Sequence, residues 1–288
     1  MGVLYLLTVN YHSADLIQRW LRSLNDATFS DWHCLIVNNS PDDTAIHQFA
    51  ESSVTVLEAG SNLGFGGGCN VGLQWVYERD SAAMVWLLNP DTVLPPEALK
   101  QAVEFCQTHP ELSIIGTVVQ TPTGDIWFAG GAFEANTGKI LAIESALEAT
   151  VDYIPTAWVT GCSLILNLQG FKRCPEFDPA YFLYYEDFDF CRRYADQGHA
   201  IALTPHIQVI HYPSSITSRN LGLKVKHSTY SYLLALTRHT QPAVVLYRLG
   251  RILAHALRKS VAEPQKAIAI IKGVLKYLGS SRESSRHH

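Results

Sequence analysis

The stretch Val3-Leu4-Tyr5-Leu6-Leu7-Thr8-Val9-Asn10 decides how the chain is read. Seven residues with no charge and no period-2 alternation, closed by a turn-forming Asn, suit a strand buried on both faces, as in a parallel sheet covered by helices. Ser13 follows as a helix cap, and Leu16, Ile17, Trp20, Leu21 and Leu24 recur at helical spacing behind it. The alternation then repeats. His33 to Val37 is a second strand, closed by Asn38-Asn39-Ser40-Pro41-Asp42-Asp43, and Val54 to Leu57 is a third. A glycine-rich turn leads into a helix expected from about Gly67 to Glu78, and Ala83 to Leu88 is a fourth strand, stopped by Asn89-Pro90-Asp91. Such a series predicts an α/β fold with a twisted, mostly parallel sheet and helices on both faces, whose ligands lie beyond the strands' carboxyl ends.

Downstream the pattern loosens. Turns at Thr121-Pro122-Thr123-Gly124 and Asn136-Thr137-Gly138 predict hairpins, and Val159 to Leu166 predicts another buried strand. A helix is expected from Asp187 to about Gln197, ended by Gly198. Short strands follow at Ile201 to Leu203 and Ile207 to Ile210, then helix from Leu221 to about Leu278. Residues 1–220 therefore read as one domain and 221–288 as a basic helical region.

The 288 residues are 47% hydrophobic and 17% charged, with a net charge of -4, which gives no footing for nucleic acid as a partner. Residues 241–280 hold seven basic groups and one acidic group, while the first 240 residues carry 13 basic against 24 acidic groups. Six dispersed Cys with no CxxC spacing read as reduced, buried thiols. With no basic leader and no apolar run long enough to span a bilayer, the expected compartment is the cytosol.

Polar residues collect at the strand ends: Asn10, Asn38, Asn39, Asn62, Asn89 and Asp91. The run Asn62 to Gly72, with Gly64, Gly66 and Asn70, would let helix-start amides approach a phosphate. Asp91 is a hard oxygen ligand suited to Mg2+ or Mn2+. Glu186-Asp187-Phe188-Asp189 puts three carboxylates at a helix start, behind the aromatic approach Phe177 to Tyr185; Asp189 reads as the partner of Arg193 four residues on.

In this order the elements Val9-Asn10-Tyr11, Val37 to Ser40, Asn62 to Gly72, Leu87 to Asp91, Thr160-Gly161-Cys162, Phe177 to Arg193 and His211 resemble family 2 glycosyltransferases of the GT-A fold. The resemblance is strongest to their bacterial rhamnosyltransferase-like branch. It implies an inverting transfer from a nucleoside diphosphate sugar, with dTDP-rhamnose the preferred donor, to a saccharide or lipid-linked acceptor in cell-surface polysaccharide synthesis. Asn10, Asn38, Asn39, Asn62, Gly64, Gly66, Asn70 and Asn89 would hold the nucleotide sugar, Asp91 and His211 the metal, and Asp187, with Glu186 beside it, would supply the base. One departure is Asn38, where the family usually carries Asp. The alternatives are a sugar nucleotidyltransferase, which would want a basic glycine-rich loop that Asn10-Tyr11-His12-Ser13 does not provide, and a non-catalytic nucleotide-sugar-binding protein, which would lack the carboxylates.

In the tail, Val245, Leu249, Ile252, Leu253 and Leu257 are expected on one helix face and Arg248, Arg251, His255, Arg258 and Lys259 on another, with a second basic amphipathic helix after Pro264. These helices would meet an anionic membrane at its inner face, or else pack on the body or on a second subunit in a homodimer.

Overall fold

The computed structural model describes residues 3–145, 150–213 and 221–284. In chain order its elements are β1 (Leu4–Asn10), α1 (Ala14–Asn25), β2 (Trp32–Asn38), β3 (Val54–Glu58), α2 (Gly64–Tyr77), β4 (Met84–Leu88), β5 (Thr92–Val93), α3 (Ala98–Thr108) and β6 (Ile114–Gln120). There follow β7 (Ile126–Phe128), β8 (Gly131–Glu134), β9 (Lys139–Ala142), β10 (Ile154–Pro155), β11 (Ser163–Asn167), α4 (Glu186–Ala195), β12 (Ile201–His211), α5 (Leu221–His239), α6 (Pro242–Ala262) and α7 (Pro264–Ser284).

The main sheet runs β10-β12-β6-β11-β4-β1-β2-β3, with β5 on β12 and β7 on β6. As the uncharged run of β1 predicts, its pairs with β2 and β4 are parallel and it is buried on both faces. Leu4 and Leu6 face Ile17, Trp20 and Leu24 of α1 and Ala98 and Leu99 of α3. Leu7 and Val9 face the opposite layer, with Leu73 and Val76 of α2 and Phe190 of α4. Each such side chain contributes about 1.5–3 kcal/mol on burial, and a one-residue slip of β1 would exchange the two sets.

Several boundaries differ from the sequence reading. The strand expected at Val159 to Leu166 begins only at Ser163, and it lies antiparallel between β4 and β6. The two short strands after Ile201 are one eleven-residue strand whose register shifts between Thr204 and Gln208, where Pro205 lacks a ladder donor. Both hairpins form, as β6–β7 and β8–β9.

Beyond Leu221 the helix is broken twice, at Gln241-Pro242 and Glu263-Pro264, because proline cannot donate inside a helix but fits its first turn. The three helices pack through Leu233, Leu236, Val245, Val274 and Tyr277. They are fastened to the body by Ser231 Oγ donating to the Leu183 carbonyl (2.9 Å), Tyr232 OH donating to the Gly138 carbonyl (2.7 Å) and Arg248 Nε donating to the Thr137 carbonyl (2.6 Å). The apolar face expected on α6 is divided. Val245 is buried and Leu249 and Ile252 are partly buried, whereas Leu253 and Leu257 point outward.

Candidate active site

Parallel pairing brings Asn10, Asn38 and Glu58 into one row across the ends of β1, β2 and β3. Burial obliges their polar atoms to find partners. Asn10 Nδ2 donates to Asn38 Oδ1 and to Asp43 Oδ2, each at 3.0 Å, while Asn10 Oδ1 accepts from the Ser13 amide and hydroxyl. Ser13, expected as a helix cap, occupies the cap position but spends its hydroxyl on Asn10. Asn38 Nδ2 donates to the Glu58 carboxylate at 3.0 Å. An Asp at 38 would set two carboxylates against each other there, so Asn38 fits this row and the negative charge lies one strand over, at Glu58.

Asn39 spans to the next loop, donating to Asn62 Oδ1 (3.1 Å) and the Gly64 carbonyl (3.0 Å) and accepting from the Leu63 amide (2.8 Å). Asn10, Asn38 and Asn39 are thus engaged with the protein and hold together the loops that follow β1, β2 and β3. Asn62 is exposed and Asn89 partly so. Asn70 forms a two-bond clasp with the Phe177 backbone, at 2.8 and 2.7 Å.

The helix expected from about Gly67 begins three residues earlier, at Gly64, so Gly66 as well as Gly67, Gly68 and Gly72 lies within it. A Cβ on Gly66 would sit 2.8 Å from Phe177 Cβ and one on Gly68 2.7 Å from Val9 Cγ1, so these glycines let α2 press onto β1 and the aromatic approach. Of the first amides, Gly64 donates to Asn62 Oδ1 and Phe65 to the Phe182 carbonyl. Gly64 itself has φ +77, which favours glycine.

A short connection links the turn after β4 to the start of α4. The Asn89 amide donates to the Cys162 carbonyl (3.0 Å), and next to it the Gly161 amide donates to Asp187 Oδ2 (3.0 Å). Thr160-Gly161-Cys162 therefore joins the Asp91 turn to the start of α4. Burial first, then the charges of Asp91 and Asp187, push the Cys162 thiol well above its usual range. Across the turn, His211 Nε2 lies 3.3 Å from Asp91 Oδ1, with both side chains nearly buried and Trp127 against the imidazole at 4.5 Å between ring centres.

Asp187 is partly buried, and its Oδ1 accepts from the Phe188 amide at 2.8 Å. Burial raises its pKa, and the bonds from Gly161, Phe188 and its own amide oppose the rise. Glu186 is more deeply buried, with Oε2 lacking a hydrogen-bond partner among the described residues. Burial and then the Asp187 charge push its carboxyl up to about 8, so near neutrality Glu186 keeps its proton. Both follow Tyr184 and Tyr185, which have φ of +68 and +64. Two successive non-glycine residues in that region cost about 1–2 kcal/mol each, a strain found where the surroundings over-determine the backbone.

Asp189 pairs with Arg193 as the sequence suggested (2.7 Å), and it is also fully buried in a larger cluster. His239 Nε2 lies 2.9 Å from Asp189 Oδ1, Tyr181 OH donates to the same oxygen (3.2 Å), and Arg238 lies 3.4 Å away while bridging to Asp178. Burial opposes ionisation, but the bonds from His239 and Arg193 outweigh it and hold this carboxyl below its usual range. The sequence reading missed the cluster, Glu58 and Asp43. Glu58 was recoverable, since it closes β3 in register with Asn38.

A carboxylate and an imidazole at the end of β4 suit a divalent ion that takes further ligands from water and substrate oxygens. Among the described residues no three side chains of the His, Cys, Asp and Glu types gather to hold an ion alone. His211 Nδ1 is buried without a hydrogen-bond partner among them. The donor set therefore fits Mn2+ as a shared ion between protein and ligand. The imidazole makes it a poorer match for Mg2+.

The geometry has known parallels. The solved structure of mannosyltransferase PcManGT from Pyrobaculum calidifontis, in complex with GDP-Man and Mn2+, superposes with a TM-score of 0.55 at 14% identity, covering 96% of this chain and 86% of that one. GalNAc-T7 with UDP, GalNAc and Mn2+ gives 0.60 at 11% identity, over 81% of this chain and 50% of that chain. These likenesses show a shared GT-A-type fold. By sequence, the chain is 23% identical over 266 residues to N-acetylglucosaminyl-diphospho-decaprenol L-rhamnosyltransferase of Mycobacterium tuberculosis, covering 83% of this chain and 85% of the relative. It is 23% identical over 252 residues to rhamnosyltransferase WbbL of Escherichia coli K12, covering 80% and 92%. The model of the family described as glycosyl transferase family 2 matches residues 5–164, from β1 through the Gly161 bridge to the start of β11, and the chain belongs to that family of enzymes.

Proposed function

We propose that the protein transfers a 6-deoxyhexose, rhamnose, from its nucleoside diphosphate to a hydroxyl of a saccharide or lipid-linked acceptor, with inversion at the anomeric carbon, in the assembly of a surface polysaccharide. The observation that supports the reading is the connection Thr160-Gly161-Cys162, bonded at Cys162 to the turn that carries Asp91, itself 3.3 Å from His211, and at Gly161 to Asp187. The two distant relatives named for rhamnosyl transfer support the choice of sugar.

In this mechanism the loops held by Asn10, Asn38 and Asn39 seat the nucleoside, and Glu58 presents a carboxylate beside them. An ion held by Asp91 and His211 would neutralise the diphosphate. Asp187, oriented by the Gly161 and Phe188 amides, takes the proton of the acceptor hydroxyl as its oxygen bonds to the anomeric carbon and the diphosphate departs with the electron pair of the broken bond. A raised proton affinity makes Asp187 a better base than an ordinary aspartate.

Incubation of the protein with purified dTDP-rhamnose, UDP-hexoses and GDP-mannose, with and without Mn2+, tests the reading by product analysis. Free nucleoside diphosphate from dTDP-rhamnose, lost on chelation and in Asp91→Ala, is the expected result. Preference for a UDP-sugar would overturn the sugar assignment, and turnover indifferent to chelation would overturn the metal.

A further inference from the structure

Among the described residues, fourteen large apolar side chains are exposed, and nine of them lie on α6 and α7. On α6 they are spaced along one face: Leu246 (68% exposed), Leu253, Leu257 (75%) and Val261 (91%). Successive separations of seven, four and four residues keep them on one stripe. On α7 the spacing of Ile268, Ile271, Leu275 and Leu278 does the same. Neither stripe is needed to hold the helices together, since Val245, Ala256, Ala267 and Val274 are the side chains turned inward.

The residues beside the stripes are basic. Arg251 and Arg258 are exposed on α6 about a third of a turn round from its stripe, and Lys272 and Lys276 are exposed on α7, Lys276 with its ammonium over the Tyr230 ring. The single acid of residues 241–280, Glu263, is taken up by Lys259 and Lys266 at the turn between the helices. Exposed leucine and isoleucine next to uncompensated positive charge is the chemistry of a helix lying in the plane of a lipid interface. No helix among the described residues is long and apolar enough to cross a membrane.

We propose that the outer face of α6 and α7 is a docking surface for an anionic lipid bilayer, with the leucine and isoleucine side chains entering the headgroup boundary and the arginines and lysines meeting lipid phosphates. Charge chooses this occupant over a second copy of the chain. A two-fold contact through this face would set Arg251, Arg258, Lys272 and Lys276 against the same four cations, whereas an anionic leaflet supplies the opposite sign. The rest of the chain, with its excess of acidic groups, is repelled by the same leaflet and is held away from it. Helix α5 packs on both α6 and α7 and also on α4, so the docked face and the candidate base belong to one continuous body. The inference stands apart from the donor assignment and goes beyond it.

The test is co-sedimentation of the full chain with vesicles of phosphatidylglycerol and phosphatidylcholine against vesicles of phosphatidylcholine alone, at low and high salt. Two paired variants accompany the wild type, Leu253→Ser with Leu257→Ser and Arg251→Gln with Arg258→Gln. All four positions are exposed, so the variants keep the fold, which circular dichroism verifies. The expected result is binding to the anionic vesicles that falls with salt and drops at least about tenfold in each pair, since one basic residue near a charged leaflet is worth about fivefold. No binding, equal binding to the neutral vesicles, or variants that bind like the wild type would overturn the proposal. A concentration-dependent dimer abolished by the leucine pair would also overturn it, giving the face to a second copy. Nucleoside diphosphate release measured without vesicles reads the donor chemistry separately, so failure of either reading is seen on its own.

Discussion

Replacing Glu186 by Gln should make the protein more stable at neutral pH, which is unusual for a residue beside a candidate catalytic base. Glu186 is 6% exposed, so solvent does little to screen its charge. Unfolded, its carboxyl ionises near the ordinary 4.5, and folded it holds its proton up to about 8. Between these values the folded protein binds more protons than the unfolded chain, so stability falls as pH rises through that window and levels off above it. Each pH unit is worth about 1.4 kcal/mol, and from 4.5 to 7 that amounts to about 3 kcal/mol. Glutamine carries no such penalty, and its amide enters the place of a protonated acid of nearly the same shape. Urea unfolding of both proteins at pH 5, 6, 7 and 8 should show a gap that is small at pH 5, widens in favour of Glu186→Gln and stops growing near pH 8. A gap independent of pH, or a wild type that is the more stable at pH 8, would refute the reasoning.

Two further perturbations separate chemistry from support. Asp187→Asn should lower transfer by about 10²- to 10⁴-fold, because the base is lost and the new amide must also turn its NH2 toward either the Gly161 or the Phe188 donor; calorimetry should find donor binding largely kept, and a parallel loss of binding would count against the base assignment. Gly64→Ala should cost more than Gly60→Ala in chemical denaturation, although both have strongly positive φ, because a Cβ at 64 meets the Phe182 carbonyl and one at 60 meets nothing within 4 Å. About 1–2 kcal/mol is expected at Gly60 from the backbone alone, and equal losses at the two sites would remove the packing role given to Gly64.

The parts of the fold legible in the sequence were those governed by local pattern. The run from Leu4 to Val9 is uncharged throughout because both faces of β1 are covered, and that property is visible in six letters. Strand-end rules likewise located Asn10, Asn38, Asn89 and Asp91. What the sequence did not show depended on contacts made far along the chain. Glycines 66, 68 and 72 read as part of a phosphate-approaching helix start, because their reason for lacking a side chain is Phe177, Val9 and Leu7 rather than any neighbour in sequence. The division of the α6 face between Val245 inside and Leu257 outside depends on where α5 and α7 lie. Asp189 was read as half of an i, i+4 pair, since His239 and Arg238 lie fifty and forty-nine residues away.

That buried carboxylate also limits how such a protein can be recombined. Exchanging the C-terminal helices with those of a relative looks like a simple way to move one enzyme's surface attachment onto another's chemistry, with a junction in the 214–220 stretch. Yet Arg238 and His239 come from the graft and Asp178, Tyr181 and Asp189 from the recipient. A graft without matching cations would leave Asp189 facing Arg193 and a phenol, and removing partners from a buried charge commonly costs about 3–5 kcal/mol. The five positions act as a lock and key cut from two ends of one gene. The unit that can be traded between enzymes is therefore the helices together with the stretch from Asp178 through α4, and a crossover placed by sequence alone would cut through it.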